Sequence, residues 1–155
     1  VVDVFKAYAK IMIRNQRAIR CIRPLQQAIR MLQPAADHLT PLHPLLLQAA
    51  LLSRCYYVGS YLLADEITEI RPLDTSLTVT DFLLYCYYGG MVFIGLKRYH
   101  DAMRLLQLAI TAPALSLSAI IIEAYKKFAL VALLADGKVP QSRARARISS
   151  INRID

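Results

Sequence analysis

The chain has 155 residues, of which 56% are hydrophobic and only 19% charged, and it carries a net charge of +8. Such a length makes one domain with a real core or part of a larger body, and such low charge points to surface covered by a partner or by more chain. Three cysteines with no C-x-x-C pair exclude a disulfide scaffold and a zinc ribbon, and no uncharged run reaches the roughly 20 residues of a membrane span.

The absence of an initiator Met at Val1 fits a piece of a larger all-helical body. The basic charge sits at the ends: residues 1–30 sum to +6, residues 31–137 to −2 and residues 138–155 to +4. A basic end attracts nucleic acid or an acidic protein face. Neither end interleaves aromatic or glycine residues with its arginines, so nucleic acid is the weaker of these two partners. Cys21, Cys55 and Cys86 lie inside apolar helical patterns, as buried reduced thiols of a cytoplasmic or nuclear protein do.

Val1, Val4, Phe5, Tyr8, Ile11 and Met12 recur at spacings of three and four and predict an amphipathic first helix. Lys6, Lys10, Arg14 and Arg17 form a basic stripe beside it, either a solvated face or a docking strip for an acidic partner. Pro24 predicts a new helix from about Arg23, with Leu25, Ala28, Ile29 and Leu32 inward and Pro34 as the stop. The alternative is one helix over residues 17–33, kinked at Pro24. Thr40-Pro41 reads as a helix cap, with Pro44 also in the first turn and the helix running over residues 45–56. Gly59 then marks a junction, and residues 61–70 form the return helix with Ala64 inward and Asp65, Glu66 and Glu69 outward. Pro72 ends it, before a loop at Asp74-Thr75-Ser76.

Thr78 or Thr80 caps a nearly uncharged helix over residues 82–94, which reads as the buried centre of the fold. Gly95 supplies a left-handed break, and a second helix follows over residues 99–110 with Ala102 and Ala109 at its contact face. Ser116 or Ser118 caps a third helix over residues 119–135, closed by Gly137. Tyr61 and Ala64 match Tyr99 and Ala102 at an offset of 38, and Lys97-Arg98 matches Gly137-Lys138 at 40. These offsets predict an all-α fold: a right-handed stack of antiparallel helix pairs, like tetratricopeptide or HEAT solenoids. The repeats would occupy residues 1–136, with a basic tail over residues 137–155. In that tail Ile148, Ile151 and Ile154 allow a short helix, and residues 142–155 are rich in arginine.

No residue pattern carries catalysis. His38, His43 and His100 share no metal-binding spacing, and the Gly89-Gly90 pair sits in a helix without the Lys-Ser/Thr of a phosphate loop. The expectation is no catalytic residue, no metal and no cofactor. Gly89-Gly90 predicts close approach of a neighbouring helix. The tyrosines at 56, 57, 61, 85, 87, 88 and 99 suit a repeat core with wet edges.

Leu84-Tyr85-Cys86-Tyr87-Tyr88-Gly89-Gly90-Met91, Gly95-Leu96-Lys97, Ala109-Ile110-Thr111-Ala112-Pro113-Ala114, Glu123-Ala124-Tyr125-Lys126-Lys127 and Gly137-Lys138-Val139 occur in that order. This series, with Arg23-Pro24-Leu25, Ala28-Ile29 and Leu39-Thr40-Pro41-Leu42-His43 upstream, resembles the subunit-three family of the COP-nine (constitutive photomorphogenesis) signalosome over roughly residues 17–139. The resemblance implies a PCI protein, in which a helical-repeat arm leads to a winged-helix module. It implies a scaffold role, with other signalosome subunits as partners, in a complex that removes a ubiquitin-like modifier from cullins. The zinc isopeptidase centre of that complex lies on a different subunit. It also implies a nuclear and cytoplasmic location and no membrane. The tail from Ser142 to Asp155 departs from the expected continuation toward the winged helix. Self-association of the chain through exposed apolar ends is a further expectation from its composition.

Overall fold

A computed structural model of the chain describes residues 1–33, 35, 38–64, 77–112 and 119–138. Its α-helices are α1 (Val2–Arg14), α2 (Ile22–Leu32), α3 (His43–Leu52), α4 (Tyr56–Leu62), α5 (Val79–Gly95), α6 (Tyr99–Thr111) and α7 (Ala119–Asp136), with a 3-10 turn, Ala18–Cys21, leading into α2. Within each pair the first helix turns directly into the second. Each second helix then packs on the first helix of the next pair: α2 on α3, α4 on α5, α6 on α7. The first helices also touch in series, α1 to α3, α3 to α5 and α5 to α7. This is the all-α stack of pairs that the offsets predict.

The repeat is sharpest in the turns. Gln16, Arg54, Lys97 and Gly137 have positive φ, and each lies within two residues of the end of α1, α3, α5 or α7. Their positions are 38, 43 and 40 residues apart. At the first three the same two hydrogen bonds close the helix. Arg17 N–H donates to Met12 O (2.9 Å) and Gln16 N–H to Ile13 O (3.0 Å). Cys55 donates to Ala50 (2.8 Å) and Arg54 to Leu51 (3.0 Å); Arg98 donates to Phe93 (2.9 Å) and Lys97 to Ile94 (3.0 Å). These are Schellman turns, in which one left-handed residue satisfies the last carbonyls of the helix. An apolar contact usually seals such a turn. In the third, the Arg98 guanidinium lies 4.6 Å from the Phe93 ring centroid and is held by Asp101 at 2.7 Å.

Five residues beyond each of the first three left-handed residues stands a small buried one: Cys21, Gly59 and Ala102. That register corrects the internal alignment. Gly59, not Ala64, is the counterpart of Ala102, and Ala64 is exposed in the turn after α4. Gly59 is therefore no junction. It lies inside α4, where an added Cβ would come within 2.9 Å of both methyls of Val92 on α5. Gly95 is corrected too. The left-handed residue is Lys97, and Gly95 is small because a Cβ there would lie 2.7 Å from the Tyr56 ring. Gly137 does take the left-handed conformation, with φ +67.

Other boundaries follow from local chemistry. Pro24 falls in the first turn of α2, so the chain breaks before it rather than kinking at it. Thr40-Pro41 stops short of α3, which begins at His43 with Pro44 in its first turn and ends at Leu52, before residue 56. Thr78, not Thr80, caps α5. Its hydroxyl accepts from Asp81 N–H (3.1 Å), and the Asp81 carboxylate accepts from Thr78 N–H (3.1 Å), a complete capping box. Pro34, the expected outward face at residues 65–70, Pro72, the loop at 74–76, the Ser116/Ser118 cap and the tail beyond Lys138 lie outside the described residues.

The core has two parts. One fills the space among α3, α5, α6 and α7, and includes Leu47, Val92, Leu106, Ala124 and Phe128. The other lies among α1, the 3-10 turn, α2 and α3, and includes Ala9, Cys21, Leu25, Leu42 and Leu46. Helix α3 is the wall between them, which is why it is apolar nearly all round. Gly89 and Gly90 act as the sequence predicts. A Cβ at Gly90 would sit 2.7 Å from Leu106 Cγ, and one at Gly89 would sit 2.7 Å from a Leu105 methyl. Ala102 and Ala109 are fully buried on the facing helix.

Candidate interaction surface

The side chains that could carry chemistry are dispersed. His43 is buried, whereas His100 is exposed on α6. Thr40 N–H donates to His43 Nδ1 (3.0 Å), and the Thr40 hydroxyl lies 2.8 Å from the same nitrogen. The imidazole meets the Tyr85 ring edge-on, 6.2 Å between centroids, and burial pushes its pKa down to about 4. His43 thus serves as a neutral core histidine that fixes the entry into α3. Cys21 and Cys86 are buried free thiols, Cys55 is half-buried, and burial pushes Cys86 up to about 12, so it is no nucleophile at neutral pH. Among the described residues no group of three or more His, Cys, Asp and Glu could hold a metal ion. No helix in the described residues is long and apolar enough to cross a membrane.

What the surface does offer is apolar. Helix α1 carries two overlapping stripes, and the expected one is only half right. Phe5, Ala9 and Met12 pack inward with Val2 and Ile13, whereas Val1, Val4 and Ile11 are 80%, 70% and 58% exposed. Ile19 in the 3-10 turn and Met31 on α2 are exposed as well. At the other end of the stack Leu130, Leu133 and Leu134 stand exposed on α7. The tyrosines divide as well: Tyr85 is buried, Tyr56, Tyr87, Tyr88 and Tyr99 are half-buried, and Tyr57 and Tyr61 are exposed.

Between the first helices of three successive pairs lies a cavity of about 190 Å³. Its apolar walls are Pro41, Pro44, Leu45 and Leu84, and Lys6, Lys10, Gln48, Asp81 and Tyr88 line it with polar groups. The basic stripe resolves here into separate roles. Lys6 reaches Asp81 at 3.9 Å, joining α1 to the capping box of α5. Lys10 is exposed at the cavity rim, and Arg14 lies one helical turn further along the same face. Arg17 is not on the helix at all, since α1 ends at Arg14 and Arg17 closes the Schellman turn. Because the lining comes from three segments some 40 residues apart, only the composition and charge of this site are visible along the chain.

Comparison with known proteins gives this surface a context. Residues 1–147 match the family model for the N-terminal helical repeats of COP9 signalosome complex subunit 3. The COP9 signalosome complex subunit 3 of Dictyostelium discoideum is 38% identical over 136 residues, 86% of this chain and 32% of that protein. The subunit of the same name from Arabidopsis thaliana is 44% identical over 121 residues, 77% of this chain and 27% of that protein. The chain spans about a third of the length of these curated relatives. The match takes in residues 1–16, ahead of the motifs that carry the resemblance in sequence, and so includes α1 with its exposed valines and cavity lysines. The chain belongs to the family of COP9 signalosome complex subunit 3, and its helix pairs are that family's N-terminal helical repeats.

Proposed function

We propose that this chain is a scaffold element that binds neighbouring subunits of the signalosome and takes no part in catalysis. The observation that carries this reading is the pair of exposed apolar ends, Val1 at the cap of α1 with Val4 and Ile11 on it, and Leu130, Leu133 and Leu134 on α7, on a chain of the subunit 3 family. Apolar side chains clustered at the ends of a repeat stack suit burial by more protein. In this reading residues 1–136 form the repeat arm and residues 137–155 a basic tail. The complex strips the ubiquitin-like modifier from cullins in the cytoplasm and nucleus, with its isopeptidase centre on another subunit. Heterologous assembly is preferred to self-association, because the relatives are named as subunits of a complex.

The test is affinity purification of the tagged full-length chain from its own cells. Other signalosome subunits should co-purify in stoichiometric amount and stay bound in high salt, as an apolar interface does. A chain recovered alone, or with nucleic acid released by salt, overturns the proposal.

A further inference from the structure

The geometry points to a docking pocket for an acidic, apolar peptide segment of a partner protein, formed by Lys10, Gln48, Tyr88 and the apolar walls between α1, α3 and α5. This goes beyond assembly in general and names the chemistry of one contact. The cavity, about 190 Å³, is smaller than the roughly 300–1,000 Å³ of small-molecule and cofactor sites. Its walls of Pro41, Pro44, Leu45 and Leu84 suit a single apolar side chain.

The polar lining selects what flanks that side chain. Asp81 is already committed: Oδ2 accepts from the Thr78 amide and hydroxyl, and Oδ1 faces Lys6. Among the described residues Lys10 has no acidic partner, and neither the Gln48 amide nor the Tyr88 hydroxyl has a hydrogen-bond partner. An ammonium at the rim calls for a carboxylate. An amide and a phenol beside it can bond a peptide backbone, since the amide both donates and accepts. The wider field agrees, because residues 1–30 carry seven basic side chains against one acidic. Nucleic acid fits the charge but leaves the apolar walls unused, and among the lining residues only Tyr88 offers a ring for stacking.

The experiment measures fluorescence anisotropy with the full-length chain and the labelled peptide Gly-Ser-Glu-Leu-Glu-Ser-Gly. Controls replace both Glu with Lys, replace Leu with Ser, or substitute a short oligothymidylate. The Glu-Leu-Glu peptide should bind at least about tenfold tighter than either control peptide. Lys10→Glu, at an exposed position whose loss leaves no buried charge unpaired, should abolish that preference and favour the Lys-Leu-Lys peptide instead. Gln48→Ala should weaken Glu-Leu-Glu binding severalfold, with an unchanged far-ultraviolet circular dichroism spectrum. Equal binding of the three peptides, no effect of Lys10→Glu, or tighter binding of oligothymidylate than of any peptide overturns the pocket. Subunit co-purification is a separate readout, so loss of peptide binding with subunits still recovered discards the pocket alone.

Discussion

The two halves of the core are built differently. In the central stack, α5 presents Leu83, Tyr85, Cys86, Gly89, Gly90, Val92 and Phe93 as buried positions, and neighbours close on it from α3, α4, α6 and α7. In the amino-terminal half, α1 buries only Ala9 completely and leaves Val1, Val4 and Ile11 to solvent. At the seam between the halves Thr78, Asp81 and His43 are internally satisfied, while Lys10 on α1 and Gln48 on α3 have no side-chain partner among the described residues. The centre is thus a filled solid that sets stability. The amino-terminal half has a closed core of its own, with Cys21, Leu25 and Leu42 fully buried, but α1 covers it with one face and leaves the other to solvent.

Substitutions can break this contrast, and the strongest is in the glycine pair. Gly90→Leu forces a side chain where even a Cβ meets Leu106 at 2.7 Å and the Ala102 carbonyl at 3.4 Å. It should cost about 3 kcal/mol or more, because the nearest atoms, Leu106 Cγ and one of its methyls, belong to a fully buried side chain, with the Ala102 carbonyl also close. Thermal melting by circular dichroism reads the loss, and an unchanged midpoint would show that α5 and α6 are not in close contact. At the exposed end the matching change, Val4→Ser, should leave the midpoint within about 0.5 kcal/mol of the parent.

Acid should find the centre next. His43 has a folded pKa of about 4 against an ordinary 6.5, so the unfolded chain takes the proton first as pH falls. Stability from neutral His43 is whole above pH 6.5, declines below it and is spent near pH 4. At about 1.4 kcal/mol per pH unit the full loss is roughly 3 kcal/mol. Urea titrations at pH 7.0, 5.5 and 4.5 measure it, and His43→Gln should flatten the dependence.

Thr78→Ala removes one half of the capping box of α5 and should cost about 1 kcal/mol in the same urea assay. The smallest effect has the opposite sign. Gln16→Gly and Lys97→Gly relieve left-handed backbone at two equivalent turns, and each should stabilise by about 0.5–1 kcal/mol. Equal gains would mean that the turn is autonomous in both halves. A gain at Lys97 alone would mean that the amino-terminal turn is set by its surroundings.

Legibility in the sequence follows the same line. Helices α5, α6 and α7 stand within a few residues of their predicted bounds, because long apolar periodicity and the capping threonine act locally. The glycine pair was also readable, since adjacent glycines inside a helix have few uses besides close approach. The turns misled. Left-handed backbone costs a non-glycine residue only about 1–2 kcal/mol, which packing of the next helix outweighs, so Arg54 and Lys97 hold the turns expected at Gly59 and Gly95, and Gln16 holds one that no glycine marks. The glycines at 59 and 95 answer instead to Val92 and Tyr56, neighbours that no local pattern reveals. In α1, two apolar stripes of equal period cannot be ranked without knowing which face meets α2 and α3. The cavity belongs to the same class, as a product of stacking alone.

The Schellman turns carry a consequence for how such a chain can vary in length. Cys55 and Arg98 close one helix and immediately precede the next, and Arg17 passes straight into the 3-10 turn that leads into α2. One inserted residue there would rotate every following side chain by about 100° around its helix and turn Cys21, Gly59 or Ala102 out of its contact. Insertions and deletions among relatives should therefore gather between pairs and be absent within them. The pair, rather than the helix, is the unit by which this chain can be lengthened or cut.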